Sequence, residues 1–210
     1  SPPSSPPPLS VLSGKAYDGY LEGCTLFLDV DGDRSPGAGE ATVNTSAFGN
    51  FVIRADYDAV AGAFLAIDAS AGSGCTDALS GALSAVALRT RLTHGDPAAP
   101  VFLNPVTTLL ADLGGSAHEL GAAVASALGL DGGAFGPGGA GEALFASDPY
   151  AALWQQTADV DLAASLVGLM ASLHVAAEAL AVALVPAAAV NMSLAHRSTG
   201  AVFTAMADAV

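Results

Sequence analysis

Asp29, Asp31, Asp33 and Glu40 stand at positions one, three, five and twelve of the stretch DVDGDRSPGAGE. That is the spacing of a twelve-residue calcium loop, where oxygen ligands come from alternating side chains, a carbonyl at position seven and a bidentate closing glutamate. Ser35 occupies position seven, so the candidate metal ligands are Asp29, Asp31, Asp33, Ser35 and Glu40, and calcium is the expected cofactor. Clustered carboxylates need a cation or solvent to offset their repulsion. The alternative is a solvated hairpin loop, since Asp and Gly are good turn formers. If the loop binds, its affinity belongs in the weak range of extracellular modules.

No catalytic constellation competes with this loop. His94, His118, His174 and His196 are dispersed, and His118-Glu119 lacks the second histidine of a zinc-protease helix. Ser73 sits between Gly72 and Gly74 without a nucleophile-elbow pattern. Gly132–Gly141 is too loose for a phosphate cradle. The chain is therefore not expected to be an enzyme, and His174 is expected as a core residue. Tyr150 and Trp154 open a long predicted helix and are expected to anchor it on the β part; a sugar-stacking platform is the alternative.

Charge and cysteines bound the setting. The net charge of −14 leaves six basic residues, Lys15, Arg34, Arg54, Arg89, Arg91 and Arg197, scattered without a stripe, which excludes nucleic acid as a partner. Cys24 and Cys75 match neither a redox nor a zinc pattern. In an oxidising compartment they form one disulfide, worth about 3–4 kcal/mol for so long a loop; in a reducing cell they are two buried thiols. Sequons occur at Asn44 and Asn191. The apolar run Leu162–Val190 is interrupted by His174, Glu178 and Pro186, so a buried helix pair is expected rather than a membrane span.

The elements that must position these residues fall into three parts. Residues 1–9 form a Pro-rich linker, expected as extended polyproline II. The opening SPPSSPPP has neither the charged nor the apolar region of a secretory signal, and the chain is expected to be a mature product or a piece of a longer protein. Residues 10–96 show about seven short strands at sandwich-like spacing, among them Val11–Ala16, Cys24–Leu28, Phe64–Ala69 and Leu83–Arg91. Glu40–Val43 is expected to pair with Asn50–Arg54 across the Ser46–Gly49 turn. Residues 97–210 turn Ala/Leu-rich and helical. Pro105 opens a helix to Leu113, Ser116 and Glu119 cap a second to Leu128, and Asp131–Gly141 is a glycine-rich loop. Asp148-Pro149 opens a long helix from Tyr150 to Val185, Pro186 breaks it, and a last helix lies within Asn191–Val210. The fold class expected is α+β, a small antiparallel β-sandwich followed by an Ala-rich helical subdomain.

The run VLSGKAYDGYLEGCTLFLDVDGDRSPGAGEATVNTSAFGNFVI resembles the prealbumin-like B-type repeat domains of extracellular surface adhesins, the Cna-B and SdrD-B-like kind. Gly14, Asp18, Gly19, Gly23, Phe27, Leu28, Asp29, Asp31, Gly32, Asp33, Gly39, Glu40, Thr42, Gly49 and Phe51 fall on that frame. VFLNPVTTLLADLG, SAHELGAAVASALGL and SDPYAAL look like the helical tail that follows such domains in large secreted bacterial and algal proteins. The resemblance implies a calcium-binding loop that braces a rod-like array. Arg34 departs from it, standing where the twelve-residue loop prefers glycine. Cys24 departs too, replacing an alanine, with Cys75 as its expected partner. The Lys–Asn crosslink of some relatives is not expected, because Lys15 is the only lysine and its partners cannot be identified. The Ser-Pro-Pro opening resembles the hydroxyproline glycomodules of plant and green-algal wall proteins, which implies sugars on Pro2, Pro3, Pro6, Pro7 and Pro8; an ordinary linker is the alternative.

Together these features lead to the expectation of a non-enzymatic structural module of a secreted cell-surface, cell-wall or flagellar-surface glycoprotein. Its expected location is extracellular, and its partners are other copies of itself or other extracellular glycoproteins in a filament or array. A carbohydrate-binding adhesion module and an accessory domain of a larger secreted enzyme are the alternatives.

Overall fold

The computed structural model describes residues 9–56, 60–68, 74–84, 86–92, 98–114, 117–127, 129, 147–155 and 160–184. The Pro-rich opening, the glycine-rich loop after 130, Asn191 with the last predicted helix, and the Ser116–Glu119 capping box lie outside the described residues or side chains.

The strands are β1 (Ser10–Ala16), β2 (Leu21–Glu22), β3 (Thr25–Asp29), β4 (Thr42–Asn44), β5 (Asn50–Ala55), β6 (Phe64–Ile67), β7 (Thr76–Asp77), β8 (Arg89–Arg91) and β9 (Val101–Leu103). Four of them build an antiparallel sheet in the order β4-β3-β6-β8, three build a sheet β5-β1-β9, and β2 pairs with β7. In β5 the residues alternate strictly, Phe51, Ile53 and Ala55 inward and Asn50, Val52 and Arg54 outward, as a strand with one buried face requires. Leu12, Phe51 and Ile53 of one sheet meet Leu26, Leu28, Leu65 and Ile67 of the other in one core. The disulfide joins Cys24 and Cys75 beside it.

The sheets differ from the sequence reading in pairing and in direction. β4 and β5 do not form a hairpin: β4 pairs with β3, while β5 pairs with β1. Between them a 3₁₀ turn, Ala47–Gly49, carries Phe48 at φ 59° and Gly49 at φ 71°, and turns the chain from one sheet to the other. A side chain on Gly49 would collide with the carbonyl oxygen of Ala16, so this corner needs glycine. The second difference is β9. Lying within the segment expected to be helical, it pairs with β1 in parallel, so the sheets are not wholly antiparallel.

Among the described residues the helices that follow are α1 (Pro105–Asp112), α2 (Ala117–Ala127), α3 (Pro149–Gln155) and α4 (Val160–Leu184). Asn104 caps α1, its side chain accepting from the amides of Val106 and Thr107 while Thr107 Oγ1 accepts from the Asn104 amide. Gly114 at φ 78° ends it. The helix expected from Tyr150 to Val185 is instead two, α3 and α4. Along α4, Ala163, Leu166, Met170 and Leu173 recur at helical spacing and join the same core as the sheets. Among the described residues, no helix is long and apolar enough to cross a membrane.

Candidate metal centre

β3 delivers Asp29 into the site. Its neighbours Leu26, Phe27 and Leu28 are buried, and Asp29 itself is 1% exposed at the point where the strand ends against Phe64 of β6. The Asp29 Oδ1 accepts from the Gly32 amide at 2.8 Å, whereas Oδ2 is buried with no hydrogen-bond partner. A buried, unpaired carboxylate oxygen is expensive. Burial pushes the Asp29 carboxyl above its ordinary range; the amides of Gly32 and Arg34 oppose the rise, and the charges of Glu40 and Asp31 add to it.

The loop bends back so that Glu40 returns to the end of β3. Its Oε1 accepts from the Val30 amide at 2.9 Å and its Oε2 from the Gly37 amide at 2.7 Å. Left-handed backbone at Gly32 (φ 79°), Arg34 (φ 64°) and Gly39 (φ 95°) makes the turns. One carboxylate oxygen from each of Asp29, Asp31 and Glu40 falls within 4.8 Å of the others, a spacing that a single cation could bridge. Asp33 stands apart from this trio: its Oδ1 accepts from the Ser35 amide at 2.8 Å, and the Asp31 Oδ1 in turn accepts from the Asp33 amide at 3.2 Å. Oxygen-only, carboxylate-rich donors suit hard cations of the calcium or magnesium type and not soft transition metals.

Arg34 keeps a left-handed conformation that costs a non-glycine residue energy. Its guanidinium reaches the buried carboxylate of Asp112 at 3.2 Å, and Arg89 Nε donates to the same oxygen at 2.7 Å. Sequence reasoning missed this junction, because Arg34 and Asp112 lie 78 residues apart.

A second polar cluster, also missed, joins the β part to the helices. Lys15 Nζ donates to Asp148 Oδ2 at 2.7 Å, and the Tyr20 hydroxyl donates to the same oxygen at 3.0 Å. Tyr17, wholly buried, donates to the Ser147 carbonyl and accepts from Asn104 Nδ2; burial raises its pKa. His174 Nδ1 meets Asp18 Oδ2 from α4.

Tyr150 serves as an anchor. Its ring packs 5.9 Å from Tyr17 and 5.5 Å from Tyr20, and its hydroxyl accepts from the Gly19 amide. Trp154 differs, being 90% exposed. Asn44 is exposed at the edge strand β4, and its Oδ1 accepts from the Thr25 hydroxyl at 3.1 Å. No protein-family model matches the chain, and comparison with curated proteins and with solved structures gives no significant match.

Proposed function

We propose that this chain is a non-enzymatic structural module of a secreted cell-surface, cell-wall or flagellar-surface glycoprotein, in which calcium held by Asp29, Asp31 and Glu40 braces the β part. The observation that carries the reading is Asp29, a residue grouped with two further carboxylates and holding a buried Oδ2 that has no hydrogen-bond partner. A cation there neutralises the repulsion, with water and backbone carbonyls completing the shell. The disulfide between Cys24 and Cys75 supports an oxidising compartment. Pro-rich glycosylated spacers and association with other copies or other extracellular glycoproteins complete the proposal, as the resemblance to prealbumin-like adhesin domains implies.

Calorimetric titration with calcium tests the site. Binding in the wild-type chain, abolished by Asp31→Asn and little changed by Asp33→Asn, is the expected pattern. Absence of binding at millimolar calcium contradicts it.

A carbohydrate-binding module is the second reading, favoured by the exposed indole of Trp154. Aromatic faces stack on sugars, but Tyr150 is engaged with Tyr17 and Tyr20, so the platform would rest on Trp154. Glycan-array binding lost in Trp154→Ala would establish it.

A further inference from the structure

We infer that the metal loop regulates the docking of α1, with Arg34 as the transmitting residue; the inference rests on the cation reading of the trio. Arg34 lies inside the loop, between Asp33 and Ser35, and its amide is hydrogen-bonded to the Asp29 carboxylate. Its other end holds Asp112, the last residue of α1. The junction closes into a ring. Arg89 also binds Asp112, its guanidinium lies 4.3 Å above the Phe64 ring, its amide donates to Thr108 Oγ1 of α1, and Phe64 pairs with Asp29 across β6 and β3.

Charge gives the ring its direction. Asp112 is a buried anion at the C-terminal end of a helix, where the helix dipole disfavours negative charge. Two guanidinium groups offset that penalty, and one of them comes from the loop. When the trio lacks a cation, three carboxylates repel each other and the loop opens more readily, carrying Arg34 away from Asp112. A bound cation closes the loop, fixes the left-handed backbone at Arg34 and keeps the buried carboxylate covered. Cation binding and α1 docking are thereby linked, and by reciprocity loosening α1 weakens cation binding.

Hydrogen exchange on the full chain, in millimolar calcium and in EDTA, tests the linkage. In the wild type, calcium is expected to slow exchange both in the loop 29–40 and in α1, by at least about fivefold in α1. Arg34→Gly, which supplies the residue favoured at position six, should keep the loop protection and lose the α1 protection. Arg34→Lys, which keeps the charge without the planar fork, should transmit less than the wild type. Loop protection without α1 protection in the wild type overturns the linkage alone. So does equal α1 protection in the wild type and both variants. A wild-type loop that does not respond to calcium overturns the cation reading, and the linkage with it.

Discussion

At the scale of single residues, the site turns on one carboxylate placed where its charge is unwelcome. Asp29 has its proton affinity raised by burial and by Glu40 and Asp31. In the cation-free protein its ionisation therefore weakens the fold: the favourable contribution is complete below the unfolded carboxyl range, at about pH 4, and is lost as pH rises through the higher folded value. Asp29→Asn removes that dependence and supplies an amide that can donate toward Glu40 and Asp31. In EDTA the variant should be the more stable form near neutral pH, and its advantage should shrink on acidification toward pH 4; melting curves of both proteins across that range check the sign. The trio was legible because a calcium loop's ligand spacing is written in consecutive residues. Asp33 fitted the same spacing, but its carboxylate closes a local turn onto the Ser35 amide. Arg34 looked only like a flaw in the pattern, since its partner Asp112 is remote in sequence.

At the scale of elements, local pattern carried the strands and helix ends but not their pairing. The strand at Asn50–Arg54 and the Pro105 opening of α1 were both readable, because each depends on neighbours in the chain, whereas the Asn104 cap was not read. The letters of Ser46–Gly49 suit a hairpin or a corner equally, and only the packing of Phe51 and Ile53 against the opposite sheet selects the corner. β9 is three residues long and hydrogen-bonds to a strand far away in sequence, so no local period announces it. The start of α1 is the most testable junction of this kind. Asn104 is fully buried, caps the helix through two amides and donates to the Tyr17 hydroxyl at 2.9 Å. Asn104→Ala should cost about 1–3 kcal/mol, the loss of a cap plus one hydrogen bond to the Tyr17 hydroxyl, which keeps its own bond to the Ser147 carbonyl, measured by denaturant unfolding.

At the scale of the whole molecule, sheets and helices share one core, fastened by the disulfide and by the cluster of Lys15, Tyr17, Tyr20, Tyr150 and Asp148. The change of period along the chain made the α+β class readable, while the docking of α3 and α4 depends on contacts more than a hundred residues apart, Gly19 with Tyr150 and Asp18 with His174. Cys24 and Cys75 are both buried, with a sequence separation of 51. Replacing both by alanine should lower unfolding free energy by about 3–4 kcal/mol, as chain-entropy arguments require for a loop of that length. The sharpest test of the proposed bracing cation is the melting temperature of the intact chain in saturating calcium against EDTA near neutral pH. A rise of about 5–10 °C is predicted when calcium exceeds its dissociation constant about a hundredfold, and none in Asp29→Asn. Identical melting of the wild type in calcium and in EDTA would contradict the claim that Asp29, Asp31 and Glu40 hold a bracing cation.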